Sequence, residues 1–302
     1  MSTPVIQCNC LSKTFYSKQH LWQKAHAVQA VQNLSFDIMQ GEFVAFIGPN
    51  GGGKSTTVKM LTSILYPTTG TAQILGLNPW KQHDSLCRQI GVVFGQKSQL
   101  YYQLCPLDTF HLLSTAYDLR RNDTICRIQH LSELFQVTHL LRKPVRQLSL
   151  GERMRCEIIA SLLHRPKILF LDEPTIGLDI ETKHTLRYFL KHLTQDEGTT
   201  VFLTSHDTTD IEAMCSRVLL INAGRLTIDT SVEQLRRYYL TEKEICLFLT
   251  NGTTEKIKID TQKQSIESVI RKLAAEKQFT DIRIYEPDLE SVIATLYRRI
   301  DK

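Results

Sequence analysis

A glycine-rich stretch that ends in lysine and serine is the part of this sequence best suited to chemistry. It comprises Gly48, Pro49, Asn50, Gly51, Gly52, Gly53, Lys54, Ser55 and Thr56. The spacing is GxxxxGK[ST], in which glycines let successive backbone N–H groups turn towards phosphate oxygens. Lys54 is then expected to reach the β and γ phosphates, and the Ser55 hydroxyl is an oxygen ligand of the kind that Mg²⁺ prefers. The pattern predicts nucleotide binding.

Two adjacent carboxylates, Asp172 and Glu173, follow the apolar run 167–171. An apolar run ending in acids is typical of a buried parallel strand whose carboxyl end faces a nucleotide. Asp172 is expected to support Mg²⁺ through water. Glu173 is the candidate general base, because hydrolysis needs a carboxylate aimed at the attacking water. His206 follows a second apolar run, 200–203, so it is expected at the same edge, where an imidazole can hold the γ-phosphate.

A second anion site is indicated at Ser149. Ser149 and Glu152 have the spacing of a capping box, and apolar residues at helical spacing follow as far as Pro166. The first turn of such a helix offers free backbone N–H groups, which bind anions. Because the chain already has one phosphate loop, this predicts a second nucleotide contact. The alternative is a well-capped helix with no further role.

The elements that must position these residues follow from hydrophobic periodicity. Residues 34–38 alternate apolar with polar and residues 43–47 are apolar, which predicts two strands separated by a turn at Gln40-Gly41. The second strand leads directly into the glycine-rich stretch. Apolar residues at helical spacing predict helices over three ranges: 57–65, 107–119 and 125–135. The strand, loop and helix that a phosphate site requires are thus present in the required order.

Length and composition limit the class of protein. The 302 residues allow about two domains, and 42% hydrophobic with 22% charged residues excludes a wholly disordered, collagen-like or disulfide-scaffold chain. A net charge of +5 is too small to demand a nucleic-acid partner. The apolar runs are shorter than the ~18 residues that span a bilayer, and the start lacks a signal-peptide pattern. We therefore expect a soluble protein in a reducing cytoplasm, whose eight cysteines are ordinary thiols.

The character of the sequence changes after Arg237, which predicts a boundary near Tyr239. A strand pair with a two-residue turn at Asn251-Gly252 is predicted next, followed by a helix, a strand and a helix. Residues 241–302 carry 11 basic and 11 acidic side chains, so they form neither a polybasic membrane anchor nor a nucleic-acid tail. A small α+β accessory domain is the expectation.

In order and spacing, these motifs resemble those of the ATP-binding subunit of ABC transporters, over roughly residues 5–237. The matching positions are Gln96 (the Q-loop glutamine), Ser149 and Gly151 (the signature LSGGQ), Asp172 and Glu173 (Walker B), Asp179 (the D-loop) and His206 (the switch histidine). Leu150 and Glu152 depart from the signature, where the family has glycine and glutamine.

The resemblance implies an α/β fold with a P-loop NTPase (RecA-like) core, an antiparallel β subdomain and a helical insert at about 91–165. It places an ABC ATPase domain at 1–238 and the C-terminal accessory α+β domain at 239–302. ATP and Mg²⁺ are the implied cofactors, with Ser55, Gln96 and Asp172 at the metal and Glu173 and His206 as catalytic residues. An upstream aromatic stacks on adenine in this family. Phe15 matches it, and Tyr16 or Trp22, the latter in an apparent insertion over 17–30, are alternatives.

The implied function is ATP hydrolysis that powers transport through separate membrane-spanning subunits. Export is favoured, because the sequences of the motifs are similar to those of bacterial multidrug/viologen-type exporter ATPases. The implied partners are those transmembrane subunits and a second copy or paired ATPase subunit, at the cytoplasmic face of the inner (cell) membrane, with no nucleic acid expected. Alternatives are a non-transport ABC-type ATPase acting on nucleic acid or ribosomes, and a nucleotide-binding scaffold without turnover.

Overall fold

A computed structural model gives the structure of the chain. It describes residues 3–17, 26–95, 98–239, 242–250, 253–260, 263–285, 289–290, 292–293 and 296. The chain divides into two compact units, Met1–Asp229 and Thr230–Lys302. The division falls before the predicted boundary near residue 239, because the helix over 232–239 is grouped with the second unit.

Strands and helices alternate through most of the first unit. The strands in the described residues are β1 (Ile6–Ser17), β2 (His26–Ile38), β3 (Phe43–Ile47), β4 (Thr69–Ile74), β5 (Ile90–Phe94), β6 (Ile168–Asp172), β7 (Thr200–Thr204), β8 (Arg217–Asn222), β9 (Arg225–Ser231), β10 (Glu242–Leu249), β11 (Thr254–Asp260) and β12 (Phe279–Tyr285). The α-helices in those residues are α1 (Lys54–Leu61), α2 (His83–Cys87), α3 (Pro106–Ala116), α4 (Arg121–Leu134), α5 (Leu150–Leu162), α6 (Ile180–Glu197), α7 (Thr208–Met214), α8 (Val232–Tyr239) and α9 (Ile266–Glu276). None of the described helices is both long and apolar enough to cross a membrane.

A six-stranded sheet of order β5-β6-β7-β3-β8-β9 forms the centre of the first unit. Its first five strands are parallel to one another. β3 and β7 are buried along their whole length, as continuous apolar runs in a sheet covered on both faces should be. Because the strands are parallel, the carboxyl ends of β3, β6 and β7 meet at one edge. The strands predicted over 43–47, 167–171 and 200–203 are confirmed.

A second, antiparallel sheet of order β2-β1-β4 packs on the first. Four buried phenylalanines join the two sheets: the Phe46 and Phe202 ring centroids are 5.1 Å apart, Phe170 lies 5.7 Å from Phe202, and Phe36 of β2 lies 6.2 Å from Phe46. Burying each such side chain stabilises the fold by about 1.5–3 kcal/mol. This sheet is the antiparallel β subdomain that the resemblance implied.

The prediction of an insertion over residues 17–30 is partly wrong. Tyr16 pairs with Ala27 and Phe15 with Val28, so residues 26–30 belong to a strand that continues the antiparallel sheet. Residues 18–25, which include Trp22, lie outside the described part of the chain.

The predicted end of the helix over 57–65 is also wrong. α1 stops at Leu61, Ser63 has a left-handed φ of 62°, and Ile64 is 58% exposed. α3 and α4 confirm the helices predicted over 107–119 and 125–135. Within the predicted insert at about 91–165, the first residues belong to β5 of the parallel sheet, so the helices begin at Pro106.

The second unit contains an antiparallel sheet of order β11-β10-β12. Ile245, Leu247 and Ile259 of this sheet pack against Leu273 of α9 in a small buried cluster. The turn between β10 and β11 is longer than predicted, because the N–H of Leu249 donates to the carbonyl of Thr253 and leaves three residues between them. Asn251 and Gly252 themselves, and much of the last predicted helix, lie outside the described residues.

Candidate functional site

The glycine-rich loop between β3 and α1 has a shape that only glycine permits at Gly53. Its φ is 105°, and a Cβ placed there would lie 2.5 Å from the carbonyl oxygen of Ala30. The carbonyl of Gly52 accepts a hydrogen bond from the N–H of Gly224 at 3.1 Å. The loop is therefore held between β2 on one side and the turn after β8 on the other.

Lys54 begins α1 and points back over the loop. Its Nζ donates to the carbonyls of Gly48 at 2.7 Å and Pro49 at 3.1 Å, and the side chain is buried. Burial lowers the pKa of Lys54, whereas the charges of Glu173 and Asp172 act to raise it. The ammonium group is thus bonded to the loop carbonyls and is influenced by the charges of two carboxylates.

Ser55 and Asp172, the predicted metal ligands, lie together. The Ser55 hydroxyl donates to Asp172 Oδ1 at 3.5 Å, and the Thr204 hydroxyl donates to the same oxygen at 2.5 Å. A hydroxyl and a carboxylate at this separation are the hard oxygen donors that suit Mg²⁺. Thr204 was not predicted, although it ends the strand next to β6 and pairs in register with Asp172.

Glu173 is held firmly at its backbone, while its carboxylate lies beside His206. Its N–H donates to the carbonyl and the hydroxyl of Thr204 at 3.0 and 3.2 Å, and its φ of 56° is left-handed. Such a conformation costs of order 1–3 kcal/mol outside glycine and is often found at functional sites. Oε1 lies 3.0 Å from His206 Nε2, but this contact lacks hydrogen-bond geometry, so the buried oxygen has no hydrogen-bond partner within the described part of the chain.

The electrostatics of Glu173 favour proton transfer. Burial raises the pKa of its carboxyl, the charges of His206 and Lys54 lower it, and Asp172 raises it, with a net upward shift. A raised pKa makes the carboxylate a stronger proton acceptor at neutral pH. The side chain is only 18% exposed.

These groups line one cleft of about 410 Å³. Its walls are residues 50–56, Asp172, Glu173, Ile176 and His206. The sheet edge therefore brings together the phosphate loop, the two carboxylates and the histidine, which lie far apart in the sequence. Ile176 was not predicted, because a single apolar residue in a loop gives no periodic signal.

Gln96 lies outside the described residues, as does Lys97. The preceding Gly95 is described, and its N–H donates to the carbonyl of Asp172 at 2.8 Å. The chain therefore enters the predicted Q-loop directly beside the Walker B carboxylate.

The signature segment forms the predicted capping box. Ser149 N–H donates to Glu152 Oε2 at 2.7 Å, and Glu152 N–H donates to Ser149 Oγ at 3.2 Å. A Cβ at Gly151 would lie 3.1 Å from the carbonyl of Gly177, so the start of α5 packs closely on the D-loop. Neither Ser149 nor Gly151 lines the cleft of its own chain.

Asp179 caps α6, with its two carboxylate oxygens accepting from the N–H of Thr182 at 2.8 Å and from its hydroxyl at 2.9 Å. It does not line the cleft either.

Phe15 is an exposed residue of β1, with Lys13 Nζ 5.4 Å from its ring centroid, and Tyr16 beside it is also exposed. The structure thus gathers the phosphate loop, Walker B pair and His206, and leaves the signature, Asp179 and Phe15 outside that cleft.

Comparison with known proteins gives a consistent result. The family model described as "ABC transporter" matches residues 31–176. The ABC transporter ATP-binding protein NatA of Bacillus subtilis (strain 168) is 32% identical over 212 residues, which cover 70% of this chain and 86% of that protein. The probable multidrug ABC transporter ATP-binding protein YbhF of Escherichia coli (strain K12) is 33% identical over 226 residues, covering 74% of this chain and 38% of that protein.

Among solved structures, a dimeric bacterial ABC transporter cassette is similar to this chain with a TM-score of 0.67 and 25% sequence identity. The match covers 75% of this chain and 98% of that cassette. The part of the chain that matches is thus equivalent in extent to a whole cassette.

Proposed function

The chain belongs to the ABC transporter family and is an ATP-binding protein and ATPase of that family, and we propose that it powers export through separate membrane-spanning subunits. The observation that carries the proposal is the cleft that gathers Lys54, Asp172, Glu173 and His206 at one sheet edge. Separate membrane subunits are supported by NatA, an ATP-binding protein matched over 86% of its length. Export is supported by the multidrug description of YbhF.

Within the cleft we assign the phosphate groups of ATP to Lys54 and to the N–H groups of the loop at residues 50–56. The Ser55 hydroxyl and Gln96 are assigned as ligands of Mg²⁺, and the Asp172 carboxylate is assigned to support the ion through water. Oxygen donors 3.5 Å apart at Ser55 and Asp172 fit this cation. Mg²⁺, when bound, neutralises the charge that develops on the phosphate oxygens.

Glu173 is proposed to take the proton from the attacking water. Its buried Oε1 makes no hydrogen bond of good geometry among the described residues and can accept one, and the raised pKa of the carboxyl favours that proton. His206 Nε2, 3.0 Å from the same oxygen, orients the carboxylate and holds the γ-phosphate. Thr204 fixes the backbone of Glu173, which holds the residue at the edge of the cleft.

Two copies, or this chain with a paired ATPase subunit, are proposed to close over ATP. Ser149 and Gly151 do not line the cleft of their own chain, although the start of α5 is a suitable anion site. Ile176 and Ile180 beside these segments are exposed apolar residues, which a second subunit would cover. The pair would act as a peripheral protein at the cytoplasmic face of the cell membrane. Within each site, Phe15 would stack on the adenine of ATP.

The proposed role in transport is tested by purifying the tagged chain from its native host in mild detergent. We expect a multi-span membrane protein to co-purify, and the complex to hydrolyse ATP only with Mg²⁺. Lys54→Ala is the control, because it keeps the membrane partner but removes the charge from the phosphates. Co-purification with ribosomes or nucleic acid in place of a membrane protein would contradict the proposal.

The composite site is tested with Glu173→Gln, which removes the base and spares binding. We expect light scattering to show a dimer with saturating ATP and Mg²⁺, and a monomer for the double variant with Lys54→Ala. If the Glu173→Gln protein stayed monomeric with ATP, Mg²⁺ and its membrane partner, the composite site would be contradicted, and ATP would be bound by the phosphate loop of one chain alone.

A further inference from the structure

Glu157 is a buried carboxylate on α5 whose hydrogen-bond donors come from one distant segment. Its side chain is 3% exposed. It accepts from the N–H of Gln99 at 2.9 and 3.1 Å, from the N–H of Leu100 at 3.4 Å and from the hydroxyl of Ser98. A buried carboxylate is costly unless it is satisfied in this way, so the two segments are held together strongly.

The segment that Glu157 holds begins two residues after Gln96. On the other side of Gln96, the N–H of Gly95 donates to the carbonyl of Asp172 at 2.8 Å. The chain is thus fixed to the Walker B strand just before Gln96 and to α5 just after it.

The same helix carries the signature at its start. Ser149 caps α5 eight residues before Glu157, which is about 12 Å along a helix that rises 1.5 Å per residue. The loop at residues 50–56 binds phosphate through other contacts. A change at Glu157 therefore acts on the link between residues 98–100 and the signature helix and leaves the phosphate loop intact.

We propose that Glu157 is a positioning residue, which ties residues 98–100, the segment that follows Gln96 closely in the chain, to the signature helix so that Gln96 and the signature act on the nucleotide together. The inference rests on the proposed function, because it takes Gln96 as a ligand of the metal. A residue that only stabilised the fold would lower stability, ATP binding and turnover together. A positioning residue lowers turnover and spares the affinity for ATP.

The test compares Glu157→Ala with Ser161→Ala. Ser161 is a buried polar residue one turn further along α5, whose hydroxyl donates to the carbonyl of Ile158 in the same helix. For Glu157→Ala, measured in the complex with the membrane partner, we expect turnover at saturating ATP and Mg²⁺ to fall about tenfold or more, with KM for ATP within about twofold of the complex with the unaltered chain. Hydrogen exchange at the amides of Gln99 and Leu100, measured without nucleotide, is expected to quicken about tenfold. Ser161→Ala should change neither quantity by more than about twofold.

Glu157→Gln and Ser98→Ala serve if Glu157→Ala does not fold. Both should lower turnover in the same direction, and the double variant should be no slower than the slower single one, because the two residues act as one unit. Turnover no lower than in Ser161→Ala, a parallel rise in KM, or unchanged exchange at Gln99 and Leu100 would each overturn the proposal. An unaltered chain that binds no ATP would defeat the proposed function instead, since the exchange measurement needs no nucleotide.

Discussion

Thr204→Val tests how the Walker B carboxylates are held. The Thr204 side chain is fully buried and its hydroxyl donates to Asp172 Oδ1 at 2.5 Å. Valine has nearly the same shape but no hydroxyl. The N–H of Glu173 keeps its bond to the Thr204 carbonyl at 3.0 Å, so the main loss is the bond to the Asp172 carboxylate.

A hydrogen bond to a charged group contributes about 1.5–3 kcal/mol. That energy corresponds to about 10- to 150-fold in the preference of Asp172 for its present position. If Asp172 supports Mg²⁺, as proposed, the Mg²⁺ concentration that gives half-maximal ATP turnover should rise by about tenfold or more. KM for ATP at saturating Mg²⁺ should change little, because Lys54 and the loop are untouched.

The matched control is Thr200→Val on the same strand. Thr200 is also fully buried, and its hydroxyl accepts from the N–H of Gly41 at 2.9 Å, at the opposite end of β7. Both variants lose one buried hydroxyl, but only Thr204→Val should change the Mg²⁺ dependence. Identical Mg²⁺ titrations for the two variants would refute the reasoning.

Three further results are expected. Gln96→Ala should bind ATP almost normally in a titration but lose the stimulation of turnover by the membrane partner; equal loss of turnover in the isolated chain would contradict the coupling role. The N–H of Ser149 holds the pKa of Glu152 below its ordinary value of 4.5. The ionised carboxylate therefore stabilises the fold above that pH, and this stabilisation is lost as the pH falls through the lowered pKa. Glu152→Gln keeps the hydrogen bond without the charge, so we expect thermal unfolding of this variant to depend less on acid pH. Arg187→Ala should lower the free energy of unfolding in urea by about 3–5 kcal/mol, because it leaves the fully buried Asp210 without its partner at 2.5 Å; a loss under about 1 kcal/mol would mean that Asp210 is satisfied in another way.

The parts of the site that could be predicted from the sequence depend on local patterns. The glycine-rich loop, the acids after β6 and the capping box at Ser149 each combine a residue type with a fixed offset from an apolar run. Because the chemistry requires that offset, the motif can be identified from the sequence without knowledge of the fold. The edge at which Asp172 and His206 meet then follows from the rule that parallel strands end together.

The remaining features depend on contacts between distant segments. Ile64 and Leu65 continue the apolar spacing of α1, but the helix ends earlier because Ser63 turns and its hydroxyl contacts His83 Nδ1 at 2.5 Å. Thr204 and Glu157 are ordinary residues in their own elements. Their importance appears only when β7 is placed beside β6 and α5 beside residues 98–100.

The clamped phosphate loop has a consequence for how the protein is made. The loop is contacted on one side by the carbonyl of Ala30 and on the other by the N–H of Gly224, whose own carbonyl accepts from the N–H of Gln32 at 2.8 Å. A ribosome synthesises the loop long before it reaches residue 224, and contacts at such separation form late. The nascent chain therefore carries an unfinished nucleotide site through most of its synthesis, and the site is completed only as the first unit closes.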